Sequence, residues 1–457
     1  MKKILLIGNG AREHCIAETL KRSPQVCELF VYGKAVNPGI KSLAGDYKLG
    51  ALNDLPAILE FAQMVRPDFA VIGPEDPLAD GVADALLGVG VPSVGPVKTL
   101  ARLESSKSFT RDLLTKYSIT GNPKYRTFTD GKGLRDFLVE LGDYVVKADG
   151  LMGGKGVKLS GEHLHSVDEG VSYALECISL HGHVVIEEKF VGEEFSLMSF
   201  CDGFTVVDMP AVQDHKRAFA GDTGPNTGGM GTYSNAGGSL PFLTASDLAE
   251  AHAINQSVCD ALFKETGERF KGIMYGGFIA TAKGVRLIEY NARFGDPECM
   301  NVLPILKTDF IAICEAIIEG TLGGAGGGGA DGGLSIEFED LASVVKYVCP
   351  EGYPENPVKN VKVEVGEMPS GSGGLAGVRV YFASIDARED ATGESGLYML
   401  GSRAIAVTGI AKTLAEAERL AEAGAKQISG PVFFRSDIGT AELIGKRVLH
   451  MKELRGA

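Results

Sequence analysis

The chain has 457 residues, of which 44% are hydrophobic and 23% charged, proportions typical of a soluble globular protein. One hydrophobic core does not accommodate a chain of this length, so about three domains are expected. The formal net charge of −14 argues against nucleic acid or an anionic membrane as the main partner. An anionic substrate would have to be bound by local clusters of lysine and arginine.

The cysteines and the amino terminus indicate a cytoplasmic location. The 8 cysteines are scattered without CxxC spacing, which is typical of buried thiols in a reducing compartment rather than a disulfide or zinc framework. The apolar run after Met1-Lys2-Lys3 is too short for a signal peptide. No apolar run approaches the roughly 18 residues of a membrane span.

The first hundred residues alternate between predicted strands and helices. Strands are predicted at 3–7, 29–32, 69–72 and 91–94, with helices after the first strand and over 55–65 and 77–87. This alternation predicts a doubly wound parallel sheet, in which ligands bind at the carboxyl ends of the strands.

The turn after the first strand contains Gly8, Asn9 and Gly10, followed by Arg12 and Glu13 at the start of a helix. Glu13 replaces the third glycine of a dinucleotide fingerprint, and no acidic residue suitably ends the second strand, so the pattern argues against a nicotinamide site. The helix amino terminus and Arg12 could bind a phosphate. A tight strand-to-helix turn explains the same residues.

Two further features precede the middle of the chain. Pro74, Glu75 and Asp76 follow the third strand, and the two acids could accept sugar hydroxyls or stabilise the start of the next helix. Residues 105–117 predict an amphipathic helix that leaves the first domain, and Lys107 on it would by default be a surface lysine.

A glycine-rich loop lies between two predicted strands within residues 145–159. Gly153, Gly154 and Gly156 would let backbone amides approach an anion closely, and Lys147 and Lys155 bring positive charge to the same place. The spacing is not that of a Walker loop. A flexible hairpin explains the composition as well.

Two segments further along combine loop composition with polar groups. The strand predicted at 184–188 runs into a loop at 189–196, whose backbone could pair an adenine edge and whose acids could accept ribose hydroxyls. Such an acidic loop is more often simply solvated. Residues 213–231 are rich in glycine, threonine and asparagine, and their ordered apolar flanks favour an oxyanion-binding loop over a mobile linker.

The strand predicted at 285–291 carries the most specific pattern. Alternation places Glu289 and Asn291 on one face, about 7 Å apart, where two oxygen ligands suit Mg²⁺. Arg293 continues the same face and can reach a carboxylate or a transferring phosphoryl group. A Glu-x-Asn pair is usually only a polar strand face, but here it is followed by Arg and Gly-Asp-Pro-Glu.

Taken in order, these motifs resemble the phosphoribosylamine–glycine ligases, a family of ATP-grasp enzymes. The motifs that carry the resemblance are 8–14, 147–150, 213–217, 224–231 and 291–298. The match extends from residue 1 to about 440, and the last three motifs are quite specific to the family. The resemblance implies an α/β protein with an ATP-grasp fold, an N-terminal doubly wound parallel-sheet domain and a small C-terminal α/β domain.

The implied boundaries follow from the motifs and from composition. Residues 1–104 would form the substrate-binding domain, 105–321 the ATP-grasp domain with a lid at about 121–192, and 334–457 the C-terminal domain after a glycine-rich linker at 322–333. The C-terminal region shows four predicted strands and a helix after Thr413, with no chemistry of its own.

The resemblance also implies roles for individual residues. Those implied to bind ATP are Lys107, Lys147, Gly153, Gly154, Lys155, Gly156, Glu187, Glu188, Phe190 and Glu194. Those implied to bind the other substrates are Gly8, Asn9, Gly10, Arg12, Glu13, Pro74, Glu75, Asp214, Lys216, Pro225, Asn226, Thr227, Gly228, Gly229, Arg293 and Asp296. Glu289 and Asn291 would ligate Mg²⁺ or Mn²⁺, and Lys147 and Arg293 would be catalytic.

The implied reaction phosphorylates glycine with ATP, and the amine of 5-phosphoribosylamine then attacks the glycyl phosphate. Catalysis would rest on positioning and charge neutralisation. The substrates are small molecules, and a monomer or small homo-oligomer is expected. The sequence departs from the family at Ala11, at Met152-Gly153 and within 32–39, and residues 275–278 offer no third acid.

Two other hypotheses make different demands on the sequence. A sister ATP-grasp enzyme acting on another carboxylate and amine should lose the 213–231 motif. A non-catalytic nucleotide-binding protein should lack Lys147 or the pair of Glu289 and Asn291. The sequence retains all of these residues.

Overall fold

In a computed structural model of the chain, the residues described are 1–153, 156–324, 333–369, 375–389, 393 and 395–456. Among them, no helix is both long enough and apolar enough to span a membrane.

A five-stranded parallel sheet forms the amino-terminal region. Its strands are β1 (Lys2–Ile7), β2 (Cys27–Gly33), β3 (Asp46–Leu49), β4 (Phe69–Ile72) and β5 (Ser93–Val94), in the order β3-β2-β1-β4-β5. The helices are α1 (Ala11–Lys21), α2 (Pro38–Leu43), α3 (Leu55–Val65), α4 (Glu75–Asp80), α5 (Val82–Gly88) and α6 (Lys98–Ser105). The predicted doubly wound sheet is confirmed, and its order reverses between β1 and β4, where such folds bind ligands.

Strand β1 shows why helices cover both faces of this sheet. Ile4 and Leu6 pack into one hydrophobic core, while Leu5 and Ile7 pack into another on the opposite face. All four side chains are buried, so this run is apolar throughout rather than alternating. The helix predicted over 77–87 is two helices, α4 and α5, because Gly81 adopts a left-handed φ of 91° between them.

A small antiparallel sheet follows α7 (Lys107–Lys116), which Ser106 caps. Its elements are β6 (Tyr125–Phe128), α8 (Leu134–Leu141), β7 (Tyr144–Ala148), β8 (Val157–Leu159), α9 (Val167–His181) and β9 (Val184–Glu188). The strand order is β6-β9-β7-β8, and this small sheet has its own hydrophobic core with α8 and α9. The predicted loop residues Gly154 and Lys155 lie outside the described residues.

A second antiparallel sheet carries the Glu-x-Asn strand. Its strands are β10 (Glu193–Cys201), β11 (Val206–Asp208), β16 (Gly272–Thr281) and β17 (Gly284–Asn291), in the order β11-β10-β16-β17, and α10 (Ala245–Thr266) packs against it. The prediction of a loop through 189–196 is wrong beyond residue 192. Strand β10 begins at Glu193, and its residues from Phe195 to Cys201 are all buried.

The segment 213–231, predicted as one loop, is built from short strands. They are β12 (Gln213–Asp214), β13 (Arg217–Phe219), β14 (Thr223–Asn226) and β15 (Gly231–Ser234). Strands β13 and β14 form a hairpin within the segment that the resemblance assigns to substrate binding, and we refer to it as the substrate hairpin. Strands β12 and β15 join a sheet of the carboxy-terminal region. Hydrogen bonding to a distant strand therefore orders this polar segment.

The carboxy-terminal region completes the molecule. The elements are α11 (Cys299–Val302), a 3₁₀ turn at Leu303–Ile305, α12 (Phe310–Glu319), β18 (Ala342–Pro350), β19 (Val361–Val365), β20 (Gly377–Phe382), β21 (Ile385–Glu389), β22 (Ser395–Met399), β23 (Ile405–Ala411), α13 (Leu414–Ala425), β24 (Ile428–Ser429), β25 (Val432–Phe433) and α14 (Ala441–Arg455). One sheet has the order β12-β15-β18-β23-β20, and another has the order β21-β22-β19-β24.

Candidate functional site

The turn after β1 is organised by the side chain of Glu13. Its Oε2 accepts a hydrogen bond from the backbone N–H of Gly10 at 2.6 Å, and its Oε1 lies 2.6 Å from Nε of Arg12. A Cβ on Gly73, after β4, would lie 2.2 Å from Glu13 Oε1. The carboxylate therefore fills the crevice between β1 and β4, where a dinucleotide fold would need a small residue.

An ion-pair network joins this crevice to the end of β17. Glu75 Oε2 lies 3.2 Å from Arg293 Nε and 3.7 Å from Arg12 Nη1, and Glu104 Oε1 lies 2.9 Å from Arg293 Nη2. Burial would raise the pKa of Glu75, but the guanidinium groups of Arg293 and Arg12 lower it to about 2. Burial raises the pKa of Glu104 to about 6, although Arg293 opposes the shift.

Lys147 lies at the junction of the small sheet and the second sheet. Its Nζ is 2.7 Å from Glu187 Oε2 and donates to the carbonyl of Ile288 at 2.8 Å. Arg111 binds the same carboxylate through Nε at 2.7 Å and Nη2 at 2.9 Å. Burial lowers the pKa of Lys147. Burial would raise the pKa of Glu187, but Arg111 and Lys147 together have the larger effect and lower it. The Glu187 side chain thus fixes two cations.

Glu289 is an acid whose pKa is lowered by three of the predicted lysines. Lys216 Nζ lies 3.3 Å from Glu289 Oε1. Lys216 is the main cause that lowers the pKa of Glu289 to about 2 against the effect of burial, and Lys147 and Lys107 contribute further. Lys107 Nζ also donates to the carbonyl of Gly150 at 2.8 Å, at the start of the glycine loop.

Glu289 and Asn291 share one face of β17, and their residue types suit a divalent metal. Register pairs Glu289 with Gly277 and Asn291 with Tyr275, so these neighbours on β16 are not acids. No group of three or more His, Cys, Asp or Glu side chains among the described residues is arranged to hold a metal. One ionised carboxylate and one amide oxygen fit a cation that takes its other ligands from phosphate and water.

Asp214, beside the substrate hairpin, and Glu298 form an acidic pair. Burial and the nearby Glu298 raise the pKa of Asp214 well above its usual value. The hydroxyl of Tyr275 donates to Glu298 Oε1 at 2.7 Å. The sequence motif Gly-Asp-Pro-Glu contains Glu298, but the prediction gave it no role.

Backbone contacts shape the turn after the substrate hairpin. The Thr227 N–H and hydroxyl donate to the carbonyl of Lys216 at 2.7 and 2.9 Å. Gly229 adopts a φ of 108°, and a Cβ there would lie 2.7 Å from Asp214 Oδ1. Asn226 pairs with Arg217, and Pro225 precedes it on β14. The predicted residues 225–229 therefore lie beside Asp214 and Lys216.

Asp296 lies between this turn and the carboxy-terminal region. Its Oδ1 accepts from the Tyr347 hydroxyl at 2.7 Å, and its Oδ2 lies 3.3 Å from Arg403 Nη2. Arg403 comes from a segment for which the sequence indicated no chemistry. A cation brought in from more than a hundred residues away leaves no local pattern.

Several predicted residues lie at the edges of this centre. Glu188 Oε1 accepts from the Lys124 N–H at 2.7 Å within the small sheet. Phe190 is half-buried in the connector before β10, and the side chain of Glu194 is exposed. Asn9 Oδ1 accepts from Lys34 N–H at 3.1 Å, and Pro74 caps α4 through its backbone. Gly8 lies in the turn after β1, and Gly153 and Gly156 lie in the loop between β7 and β8.

Sequence reasoning missed Asp149, which fixes the start of α7. Its carboxylate accepts from the N–H groups of Lys107 and Ser108 at 2.5 and 3.2 Å and contacts His183 Nε2 at 2.7 Å. Burial would raise the pKa of Asp149, but these hydrogen bonds lower it. The Lys-Ala-Asp-Gly motif contains this signal.

Glu162 connects the small sheet to the substrate hairpin. Its Oε2 lies 2.7 Å from Arg217 Nη2, and its Oε1 lies 3.1 Å from Lys189 Nζ in the connector. A single carboxylate thus bridges the connector and the hairpin.

Family models match most of the chain. Residues 2–104, 105–299 and 343–441 match the N, ATP-grasp (A) and C domain models of phosphoribosylglycinamide synthetase. The chain is 47% identical to the phosphoribosylamine–glycine ligase of Methanosarcina barkeri, over 99% of this chain and 100% of that protein.

Solved structures extend the likeness. The crystal structure of phosphoribosylamine–glycine ligase from Thermotoga maritima is 26% identical, with a TM-score of 0.76 over 95% of this chain and 99% of that one. The biotin carboxylase domain of a 2-oxoglutarate carboxylase from Hydrogenobacter thermophilus shares the fold at 16% identity, with a TM-score of 0.68 over 99% and 94% of the two chains. The chain belongs to the phosphoribosylglycinamide synthetase family, whose ATP-grasp fold it carries.

Proposed function

We propose that this chain joins glycine to 5-phosphoribosylamine at the expense of ATP, giving glycinamide ribonucleotide, ADP and phosphate in purine biosynthesis. The observation that carries the proposal is the Glu289 carboxylate, which has Lys216 Nζ 3.3 Å from its Oε1 and whose pKa Lys147 and Lys107 also lower. Several cations around one carboxylate are suited to neutralising a polyphosphate during phosphoryl transfer. Relatives that match the full length of the chain bear the name of this activity.

ATP would lie between the small sheet and the second sheet. Lys107 and Lys147 would hold its phosphates, and residues 150–156 would close over them. Support comes from the 2.8 Å hydrogen bond of Lys107 to the Gly150 carbonyl, which brings that ammonium to the start of the glycine loop. The backbone of 187–190 would pair the adenine, and the exposed Glu194 would accept the ribose hydroxyls.

The reaction would proceed in two steps. A carboxylate oxygen of glycine attacks the γ-phosphorus of ATP, the bond to ADP breaks, and glycyl phosphate forms. The amine of phosphoribosylamine then attacks the acyl carbon, phosphate leaves with one carboxylate oxygen, and the amine loses a proton. Lys147 and Arg293 would neutralise the developing charge, and closure of the small sheet would exclude water from the acyl phosphate.

A divalent cation, Mg²⁺ or Mn²⁺, would be held by the Glu289 carboxylate and the Asn291 amide oxygen. When bound, it supplies further charge neutralisation at the phosphates. The turn after β1 and residues 214–229 would bind phosphoribosylamine, with Arg12 at a helix amino terminus suited to its phosphate. Glu75 and Asp296 would border the same phosphoribosylamine site.

The rival hypotheses fit less well. A sister ATP-grasp enzyme has no need for the 213–231 segment, which here contacts Glu289 through Lys216 and β18 through β15. A non-catalytic nucleotide-binding protein has no need for Lys147 and Glu289 together. The proposed enzyme is cytoplasmic and acts as a monomer or small homo-oligomer. Size-exclusion chromatography with light scattering would measure its oligomeric state.

The test supplies the purified chain with ATP, Mg²⁺, glycine and freshly generated phosphoribosylamine, and detects glycinamide ribonucleotide by mass. Phosphate release should fall to background when glycine is omitted or when the metal is chelated. Equal phosphate release without glycine, or release without any amide product, would refute the proposed activity.

A further inference from the structure

Arg403 reaches the substrate side of the candidate site from the carboxy-terminal region, just before β23. Its side chain is only 14% exposed. Nη1 donates to the carbonyls of Gly228, Gly229 and Asp296 at 2.5, 2.9 and 3.1 Å, and Nη2 lies 3.3 Å from the Asp296 carboxylate. One guanidinium therefore holds together two segments that are far apart in sequence.

The guanidinium is itself held in place. It stacks over the ring of Tyr347, 4.4 Å from the ring centroid, and the Tyr347 hydroxyl donates to the other oxygen of Asp296 at 2.7 Å. Both oxygens of Asp296 are thus engaged, one by Arg403 and one by Tyr347. The arrangement leaves the carboxylate one orientation.

The turn held by Arg403 is tightly packed, and at Gly229, whose φ is 108°, only glycine fits without strain. A Cβ on Gly228 would lie 3.2 Å from Arg403 Cζ, and a Cβ on Gly229 would lie 2.7 Å from Asp214 Oδ1 and 2.8 Å from Pro297 Cδ. The same Cβ would lie 3.3 Å from Arg403 Nη1, so the guanidinium and the Asp214 carboxylate both lie close to Gly229. Displacing the guanidinium would free this turn and Asp296 together.

We propose that Arg403 is a positioning residue for the amine substrate, acting through the 228–229 turn and Asp296. The inference rests on the proposed function, which seats phosphoribosylamine against these segments. It makes the carboxy-terminal region part of the substrate site. The described contacts of Arg403 do not include Lys107 or Lys147, so binding of ATP should not depend on it.

The test compares Arg403→Lys with wild type. Lysine keeps the charge, but it lacks the second nitrogen that reaches the Asp296 carboxylate and the planar guanidinium that lies over the Tyr347 ring. We expect the KM for phosphoribosylamine to rise about tenfold or more, from the loss of charge-assisted hydrogen bonds, while the KM for ATP changes less than about twofold. Arg388→Lys is the matched control, because Arg388 also lies over a tyrosine ring, that of Tyr398, and pairs with an acid, Asp386.

Hydrogen exchange monitored by mass spectrometry provides a readout that does not depend on turnover. Arg403→Lys should speed exchange of the amides at 227–231 and leave the small sheet unchanged. Within this segment the Thr227 N–H donates to the carbonyl of Lys216 and the Met230 N–H donates to the carbonyl of His215. Equal rises in both KM values, or unchanged exchange at 227–231, would overturn the inference. If wild type makes no amide, the proposed function fails and the substrate role of Arg403 fails with it, while the exchange measurement still decides whether Arg403 holds the 228–229 turn.

Discussion

The three lysines that lower the pKa of Glu289 come from different elements: Lys107 begins α7, Lys147 lies in β7, and Lys216 lies between β12 and β13. Their carboxylate partner keeps its charge because they outweigh the cost of burial. Similarly, Arg293 is held by two acids from the amino-terminal region. Single residues thus define where the three regions of the chain meet.

Replacing Glu289 by glutamine should lower kcat by at least about 100-fold. The change removes the only carboxylate of the proposed metal pair and the partner of Lys216, while preserving size. Turnover measured across a titration of Mg²⁺ and Mn²⁺ tests this, with Glu364→Gln, an exposed strand position, as the control. Retained turnover with unchanged metal dependence would mean that the metal site lies elsewhere.

Glu104 predicts a pH dependence of stability. Burial raises its folded-state pKa from 4.5 to about 6, so the neutral form is favoured in the folded protein. The resulting stabilisation is complete below the unfolded pKa and is lost as pH rises through the folded pKa, amounting to about 2 kcal/mol. Thermal midpoints of wild type and Glu104→Gln, measured from about pH 4.5 to pH 7, should show wild type losing stability relative to the variant. A constant difference would contradict the assignment.

At the scale of elements, the small sheet and the substrate hairpin are joined through Glu162. This carboxylate binds Arg217 of the hairpin and Lys189 of the connector, so movement of the small sheet must break or carry these contacts. A partly exposed ion pair is worth little in stability. Its importance would lie in coupling closure over ATP to the amine site.

Glu162→Gln should therefore raise the ratio of phosphate released to amide formed, because a looser small sheet admits water to the acyl phosphate. A rise of about two- to fivefold is expected from the loss of one such ion pair. Parallel assays of phosphate and of glycinamide ribonucleotide measure the ratio. Glu176→Gln, an exposed change on α9, should leave it unaltered. Tight coupling in the Glu162 variant would rule out this role.

Local sequence patterns predicted the helices and strands that are specified by residues close together in the sequence. Four of the five parallel strands of the first sheet and the shared face of Glu289 and Asn291 were predicted from the sequence pattern, whereas the short strand β3 was not. The start of β10 was missed because two adjacent acids, Glu193 and Glu194, resemble a solvated loop. Glu193 is buried instead because His450 and Arg447 of α14 bind it, a contact no local pattern encodes.

On the scale of the whole molecule, the carboxy-terminal region is tied to both of the others. Strand β15 pairs with β18 from Gly231 to Ser234, and Asn37 Nδ2 donates to the carbonyl of Phe382 at 2.6 Å. Lys346 on β18 is fully buried and pairs with Glu418 and Glu422 at 2.7 Å each. The strands on either side of the proposed linker at 322–333 therefore do not form independent sheets, because β15 before it pairs with β18 after it.

Cleavage within 325–332 should leave the two fragments associated and active. A protease site placed there can be cut after purification, and the product analysed by size-exclusion chromatography and turnover against the same uncut variant. The β15–β18 pairing and the Arg403 contacts should keep one peak with activity preserved. Separation of the fragments without denaturant would contradict this organisation.

The central claim is that glycine is activated as an acyl phosphate within this site. Glycine labelled with ¹⁸O in its carboxylate tests it directly, because the oxygen that attacks the γ-phosphorus leaves with phosphate when the amide forms. The proposed mechanism predicts one ¹⁸O in each phosphate released during glycinamide ribonucleotide synthesis. Amide formation with unlabelled phosphate would contradict it.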